Sequence, residues 1–222
     1  MVGLAVAVQA ARYAHSEAAR GPTAAEERVA AATAVGQRWE RLPRDDIFPA
    51  TFRYSTGLGT TETASLLSIG ADDSCPGALD PSLSQEAQVL GCVAALRASY
   101  ADELGGTVYT VGVLAFPTGE MAEAFSRSVP LGEYPATGLR ALALPGTAAA
   151  LFTDRARQYL AMQVTGPYVV LAVAGYSDGR PAAAGTERRT SVFLPAGQLV
   201  TAVVAPLAAP QQVHCGTPEF AC

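Results

Sequence analysis

"TVYTVGVLAF", Thr107 to Phe116, combines β-branched and aromatic residues without a single charge. Such a run predicts a strand buried on both faces at the centre of a sheet, because only two covered faces tolerate apolar side chains at every position. Pro117 closes it. The next stretch, "TGEMAEAFSRS" (Thr118–Ser128), predicts a helix with Met121, Ala124 and Phe125 on one side.

Upstream, Ala50 to Ser55 and Ala64 to Ile69 read as strands, separated by the Gly/Thr-rich "TGLGTTET". A Gly/Asp/Pro loop runs to Pro81. "EAQVLGCVAALRASYADELGG" then reads as a helix, Glu86 to Leu104. Val89, Val93, Leu96 and Tyr100 recur on one face, Arg97 falls off it into solvent, and Gly105 and Gly106 stop it. The first half is thus expected to run β-β-α-β-α.

Beyond "PLGEYPATG" the expected elements are strands at Leu139–Leu144, Ala148–Phe152, Gln158–Val164 and Tyr168–Ala174, the last two joined by "TGP" as a hairpin. A polar loop, "GYSDGRPAAAGTERRTS", precedes a helix from Ala196 to Leu207. Its Val200, Val203 and Val204 face the sheet, and Pro206 distorts its final turn. The fold class expected is α+β: a largely antiparallel sheet with helices packed on it, preceded by an N-terminal helical arm. No fixed period supports an internal repeat.

The arm begins with an apolar run, Met1 to Ala11, too short to cross a bilayer that needs roughly 20 apolar residues. It reads as the remainder of a membrane helix or signal, as an amphipathic start, or as a buried helix. "TAAEERVAAATAVGQR" follows as an alanine-rich stalk. There Thr23 is the N-cap and Glu26 completes a capping box. The expected division is residues 1–38 as anchor remnant plus stalk and residues 39–222 as one extracytoplasmic domain, beginning near the single Trp39.

A chain of 222 residues, half of them hydrophobic, supports a sizeable core. Its formal charge of -5, with no basic stripe, excludes a general nucleic-acid binder. All fifteen basic residues are arginine, and lysine and asparagine are absent, which reflects a GC-rich coding bias before any function.

The four cysteines fall into two pairs. Cys75 and Cys92 lie mid-chain, Cys75 in the polar turn "DDSCPGALD"; Cys215 and Cys222 lie in the terminal "VHCGTPEFAC". Three connectivities are open. Short loops close most easily, favouring Cys75 with Cys92 and Cys215 with Cys222, worth about 3 and about 2.5 kcal/mol respectively in the chain-entropy model. Four reduced, buried cysteines are the alternative. Exposed-turn placement favours disulfides, and with them an oxidising compartment outside the cytoplasm.

Chemistry-bearing motifs are sparse. His15 falls in the arm. His214 beside Cys215 and Cys222 could offer three zinc ligands, but lacks a CxxC pair. No G-x-S-x-G elbow, phosphate-binding glycine loop or HExxH helix occurs. The pairs Asp45/Asp46 and Asp72/Asp73 read as turn formers, against glycosidase or calcium roles. Arg188 and Arg189, near Arg180, make a small basic point that could meet an anionic group. Phe48, Phe52, Tyr54 and Tyr109 read as core before they read as a ligand wall. No catalytic, cofactor or metal residue is therefore nominated.

The apolar start, the Ala-rich stalk, "WERLP" leading to "IFP", "GCVAALRASY", the "TVYTVGVLAF" strand and "FPTGEMAEAF" together resemble actinobacterial membrane-anchored proteins of uncharacterised role. They are loosely similar to the disulfide-bearing extracytoplasmic sensor domains of mycobacterial serine/threonine kinases. The likeness spans Trp39 to Val129 and carries no site residue. It implies a non-catalytic module of the cell envelope. The leading expectation is therefore an extracytoplasmic domain, at the membrane or secreted, that binds a protein partner or small ligand. A secreted hydrolase and a structural component of an envelope assembly are the other expectations.

Overall fold

The computed structural model describes residues 6–7, 9–13, 15, 20–133, 137–181 and 190–213. The chain divides into two units, Met1–Ala34 with Pro210–Cys222, and Val35–Ala209. Helices run over Ala24–Gly36 (α1), Arg38–Arg41 (α2), Arg44–Ile47 (α3), Cys75–Ala78 (α4), Pro81–Val89 (α5), Gly119–Ser126 (α6) and Pro195–Ala208 (α7). Strands run over Thr51–Ser55 (β1), Thr61–Ile69 (β2), Ala94–Asp102 (β3), Thr107–Ala115 (β4), Gly132–Glu133 (β5), Tyr159–Thr165 (β6) and Tyr168–Tyr176 (β7). The fold is α+β.

In the first unit, α1 opens on the expected capping box. Glu26 N donates to Thr23 Oγ1 at 3.3 Å, and Glu26 Oε2 accepts from Thr23 N at 2.7 Å. Arg20 adds two bonds to the same carboxylate, at 2.7 and 2.9 Å. These Arg20 bonds, and then the Thr23 donors, pull the Glu26 carboxyl down to about 2. The folded value lies below the ordinary glutamate one. The charged box therefore supports the helix start throughout the neutral range and fades only as pH falls toward about 2. A carboxyl ¹³C titration should show Glu26 turning over near pH 2, and a midpoint in the ordinary glutamate range would mean the box is open in solution.

The second unit is built on one sheet with strand order β1-β2-β3-β4-β7-β6-β5, every neighbouring pair antiparallel. β4 is central, as its uncharged sequence predicts, and all nine of its residues are buried. One face is covered by α7, whose Leu199, Val200, Val203 and Leu207 pack against Leu96, Val111, Val113, Val170 and Ala172. Among the described residues the other face carries α5, α6 and the segment 137–157, with Leu83, Phe125, Leu139 and Phe152 packed on Leu114, Leu171 and Val173.

The largest departure from expectation concerns Glu86–Leu104. Helix α5 spans Pro81–Val89 and ends where Gly91 takes φ +75; the following residues form β3, one of the most buried strands. The fourfold spacing of Val89, Val93, Leu96 and Tyr100 coexists with a strict alternation. Leu96, Ala98 and Tyr100 meet α7's face, while Ala95 and Ala101 meet the other. Val89 and Val93 are exposed. Alanine favours helices in isolation, but in β3 the alanines lie between two covering layers that they let approach closely, and packing overrides propensity. Gly105, at φ +67, closes the β3–β4 hairpin and not a helix.

Arg97 is likewise corrected. It is 8% exposed, its Nη1 donates to Arg140 O at 3.3 Å, and its Nε lacks a partner. Burial pulls this guanidinium below its ordinary value, with the Asp72 charge opposing.

The expected strands at Leu139–Leu144 and Ala148–Phe152 are not strands. The segment crosses the sheet face as irregular chain, touching the β-pattern only at the Leu79–Leu139 bridge. Its backbone groups are taken by side chains: Leu142 N donates to Thr110 Oγ1, Leu142 O accepts from Ser99, and Ala141 N donates to Asp154. Strand-like composition here reflects burial against a sheet face, not pairing at its edge. The β6–β7 hairpin forms as predicted, with Thr165 opposite Tyr168. In α6, Thr118 caps Met121 N, but Met121 is exposed and Ala122 with Phe125 form the buried side.

Helix α7 continues through Pro206 to Ala208. The buried Arg38 guanidinium reaches Leu207 O at 2.7 Å and Pro206 O at 3.4 Å, placing a cation where unpaired carbonyls end the helix. At the other end of α7, Gln198 bonds both the N–H (2.9 Å) and the C=O (2.8 Å) of Ser55. It so blocks part of the open edge of β1. Among the described residues no helix is long and apolar enough to cross a membrane.

Candidate functional site

The disulfide expected between Cys75 and Cys92 is present, with Cα atoms 6.4 Å apart. It ties the first turn of α4 to the chain entering β3. Cys75 is buried at the start of that turn and not exposed in a loop. The pair Cys215 and Cys222, together with His214, Arg188 and Arg189, lies outside the described residues, as does most of the Met1–Ala11 run. His15 is exposed on a helical stretch.

The remaining sequence candidates scatter. Asp45 and Asp46 sit exposed on α3. The Ser74 hydroxyl first, and then the Ser74 N–H donated to Asp72 Oδ1, hold the Asp72 carboxyl below the ordinary range, and Asp73 pairs with Arg44 at 2.6 Å. Among the described residues no three His, Cys, Asp or Glu side chains gather to hold a metal. Arg180 is bound by Asp178 at 2.7 Å and lies over the Tyr176 ring, 4.3 Å from its centroid. Phe48 and Phe52 are core.

What the fold does assemble is one end of the sheet, where the β1–β2 and β3–β4 hairpins both turn. The first tip is held by Thr56 N to Thr60 O (2.9 Å) and by the paired Thr56 and Thr60 hydroxyls (2.7 Å). In the second, Asp102 accepts from Gly106 N at 2.8 Å and Thr107 N at 3.0 Å. Each rigid tip displays a leucine: Leu58 is 92% exposed and Leu104 is 94% exposed. Side-chain bonds to turn backbone fix both loops, so the exposure is built in and does not come from fraying.

Beside Leu58 opens a cleft of about 380 Å³, lined by Val192 and Pro195 together with Tyr54, Glu62, Tyr109 and Asp102. Tyr54 and Tyr109 belong to an aromatic group around Phe52, whose ring centroid lies 5.5 Å from Tyr54 and 6.2 Å from Tyr109. The Tyr54 hydroxyl donates to Glu62 Oε2 at 2.8 Å. Burial first, and then the Glu62 bond, raises the Tyr54 phenol well above its usual range; burial and the neighbouring Tyr54, Asp102 and Glu62 raise Tyr109 further. Both phenols are therefore protonated donors at neutral pH. On the opposite sheet face a groove of about 680 Å³ runs between Leu67, Thr63 and Leu104, sharing Asp102 with the first.

A third hollow, about 530 Å³, adjoins the disulfide and is lined by Asp80, Ser84, Gln88, Arg140 and Asp154. Its charges are committed to holding segment 137–157. Asp80 pairs with Arg157 at 2.7 Å, and Asp154 pairs with Arg140 at 3.3 Å. This network is structural.

The sequence carried a signal for the tips that composition alone obscures. Leu58 stands between Gly57 and Gly59, and Leu104 directly before Gly105 and Gly106. A large apolar residue framed by turn glycines has nowhere to bury itself. No family model, curated protein or solved structure matches this chain, so the two leucine-bearing tips and the clefts they border carry the functional reading by themselves.

Proposed function

We propose that the Val35–Ala209 unit is a non-catalytic binding module of the cell envelope, acting outside the cytoplasm and holding a protein partner at the end of the sheet that bears Leu58 and Leu104. The observation that carries the proposal is the near-complete exposure of two leucines on hydrogen-bonded tips at one end of the sheet, Leu58 at the rim of one cleft and Leu104 at the rim of another. An isolated exposed leucine means little; two on rigid turns at one end of a sheet mark an interaction surface. The Cys75–Cys92 bridge supports the compartment, since disulfides persist where thiols are oxidised.

A photo-reactive amino acid placed at Leu58 or Leu104, in the chain expressed in its native host, should yield the same discrete adduct from both tips. Val89 and Leu151, exposed elsewhere on the surface, should yield none. Adducts indistinguishable among the four positions, or none from the tips, would overturn the proposal.

A further inference from the structure

The cleft beside Leu58 is divided chemically, and the division specifies what fits it. Its lining joins the apolar side chains of Leu58, Val192 and Pro195 to the carboxylates of Glu62 and Asp102 and the phenols of Tyr54 and Tyr109. Among the described residues no basic side chain lines it. An anion would face two carboxylates. A purely apolar ligand would strip water from two carboxylates and leave their remaining lone pairs unpaired, which costs more than the apolar contacts return. The Tyr54 hydroxyl uses one of roughly four lone-pair positions on the Glu62 carboxylate, leaving capacity for a charged donor. A long side chain with an aliphatic stem and a cationic head satisfies both halves at once.

Resting on the binding role proposed above, we infer that this cleft receives an arginine or lysine side chain from the partner polypeptide, its stem along Leu58 and Val192 and its head on Glu62. A volume of about 380 Å³ suits one such side chain and its immediate flanks. The exposed Leu58 beside the opening calls for a partner larger than a free small cation.

The test uses the whole chain labelled with ¹³C-tyrosine and three probes: acetyl-Leu-Arg-Leu-amide, its citrulline counterpart, and ethylguanidinium. Citrulline keeps the shape of arginine and removes the charge. The arginine peptide should shift the Tyr54 and Tyr109 ring signals saturably, and the citrulline peptide should bind about tenfold more weakly. Glu62→Gln keeps an acceptor for Tyr54 at an exposed position and should weaken the arginine peptide about fivefold. Equal binding of the citrulline peptide, or an unchanged affinity in Glu62→Gln, would overturn the inference. Ethylguanidinium binding as tightly as the peptide would also overturn it, in favour of a free organic cation. Tip adducts at Leu58 and Leu104 combined with no response to the arginine peptide would remove this ligand and leave the binding role standing.

Discussion

Replacing Arg157 by alanine is expected to destabilise the Val35–Ala209 unit by about 3–5 kcal/mol, the cost of leaving one partner of a buried ion pair without the other. The Arg157 side chain is 5% exposed. Its Nη1 bonds Asp80 Oδ2 at 2.7 Å and Leu139 O at 2.9 Å, while its Nε bonds Asp154 O at 2.9 Å. Asp80 also accepts from Gly138 N at 2.8 Å. One guanidinium therefore anchors both ends of an irregular segment that covers a sheet face and brings Leu139 and Phe152 into the core. Thermal unfolding should show a fall of roughly 10 °C. The double variant Asp80→Leu with Arg157→Met should recover most of the loss, because hydrophobic replacements remove the desolvation cost along with the pair. A loss under about 1 kcal/mol for Arg157→Ala would mean the anchor is idle.

The second large effect concerns the Cys75–Cys92 bridge. Substituting both cysteines by serine should cost about 3 kcal/mol, the chain entropy released when a loop of this length is freed in the unfolded state. The bridge also joins segment 70–80 to β3, where Ala95 N donates to Asp73 O and Gly70 N donates to Arg97 O. Hydrogen exchange in the double variant should therefore rise first at Ala95 and Gly70. Urea unfolding with and without reductant gives the same comparison on the unaltered chain. Identical midpoints in the two conditions would remove the stabilising role and weaken the argument for an oxidising compartment.

Much of the architecture could be read from residue pattern, and the failures share a cause. β4 announces itself because its buried side chains are bulky and branched, and the β6–β7 hairpin because Gly166 and Pro167 leave the turn few alternatives. β3 hides because its burial is achieved with alanines, which fit a helix equally well until a second layer presses on each side. Segment 137–157 misleads in the opposite direction. Its leucines and alanines look like strands, yet Thr110, Ser99, Asp154 and Arg157 satisfy its backbone in place of a neighbouring strand. Side-chain capture of this kind leaves no periodic trace. The cleft is half legible: Tyr54 and Tyr109 read as core, which they are, while their meeting with Glu62 depends on the register that sets Tyr54 opposite Glu62.

The seam between β4 and β7 bears on how the protein comes into being. Thr107 meets Tyr176 and Ala115 meets Tyr168, so the middle of the sheet joins stretches far apart along the chain, whereas β1 through β4 pair in chain order, two tight hairpins linked by the helical connection between β2 and β3. During synthesis the meander can assemble as it emerges, but its central strand then waits with one edge open until β7 has been made. Distant pairing of this kind slows folding and prolongs the exposure of a sticky edge. For this chain the vulnerable interval is the one between completion of Ala115 and arrival of Tyr168.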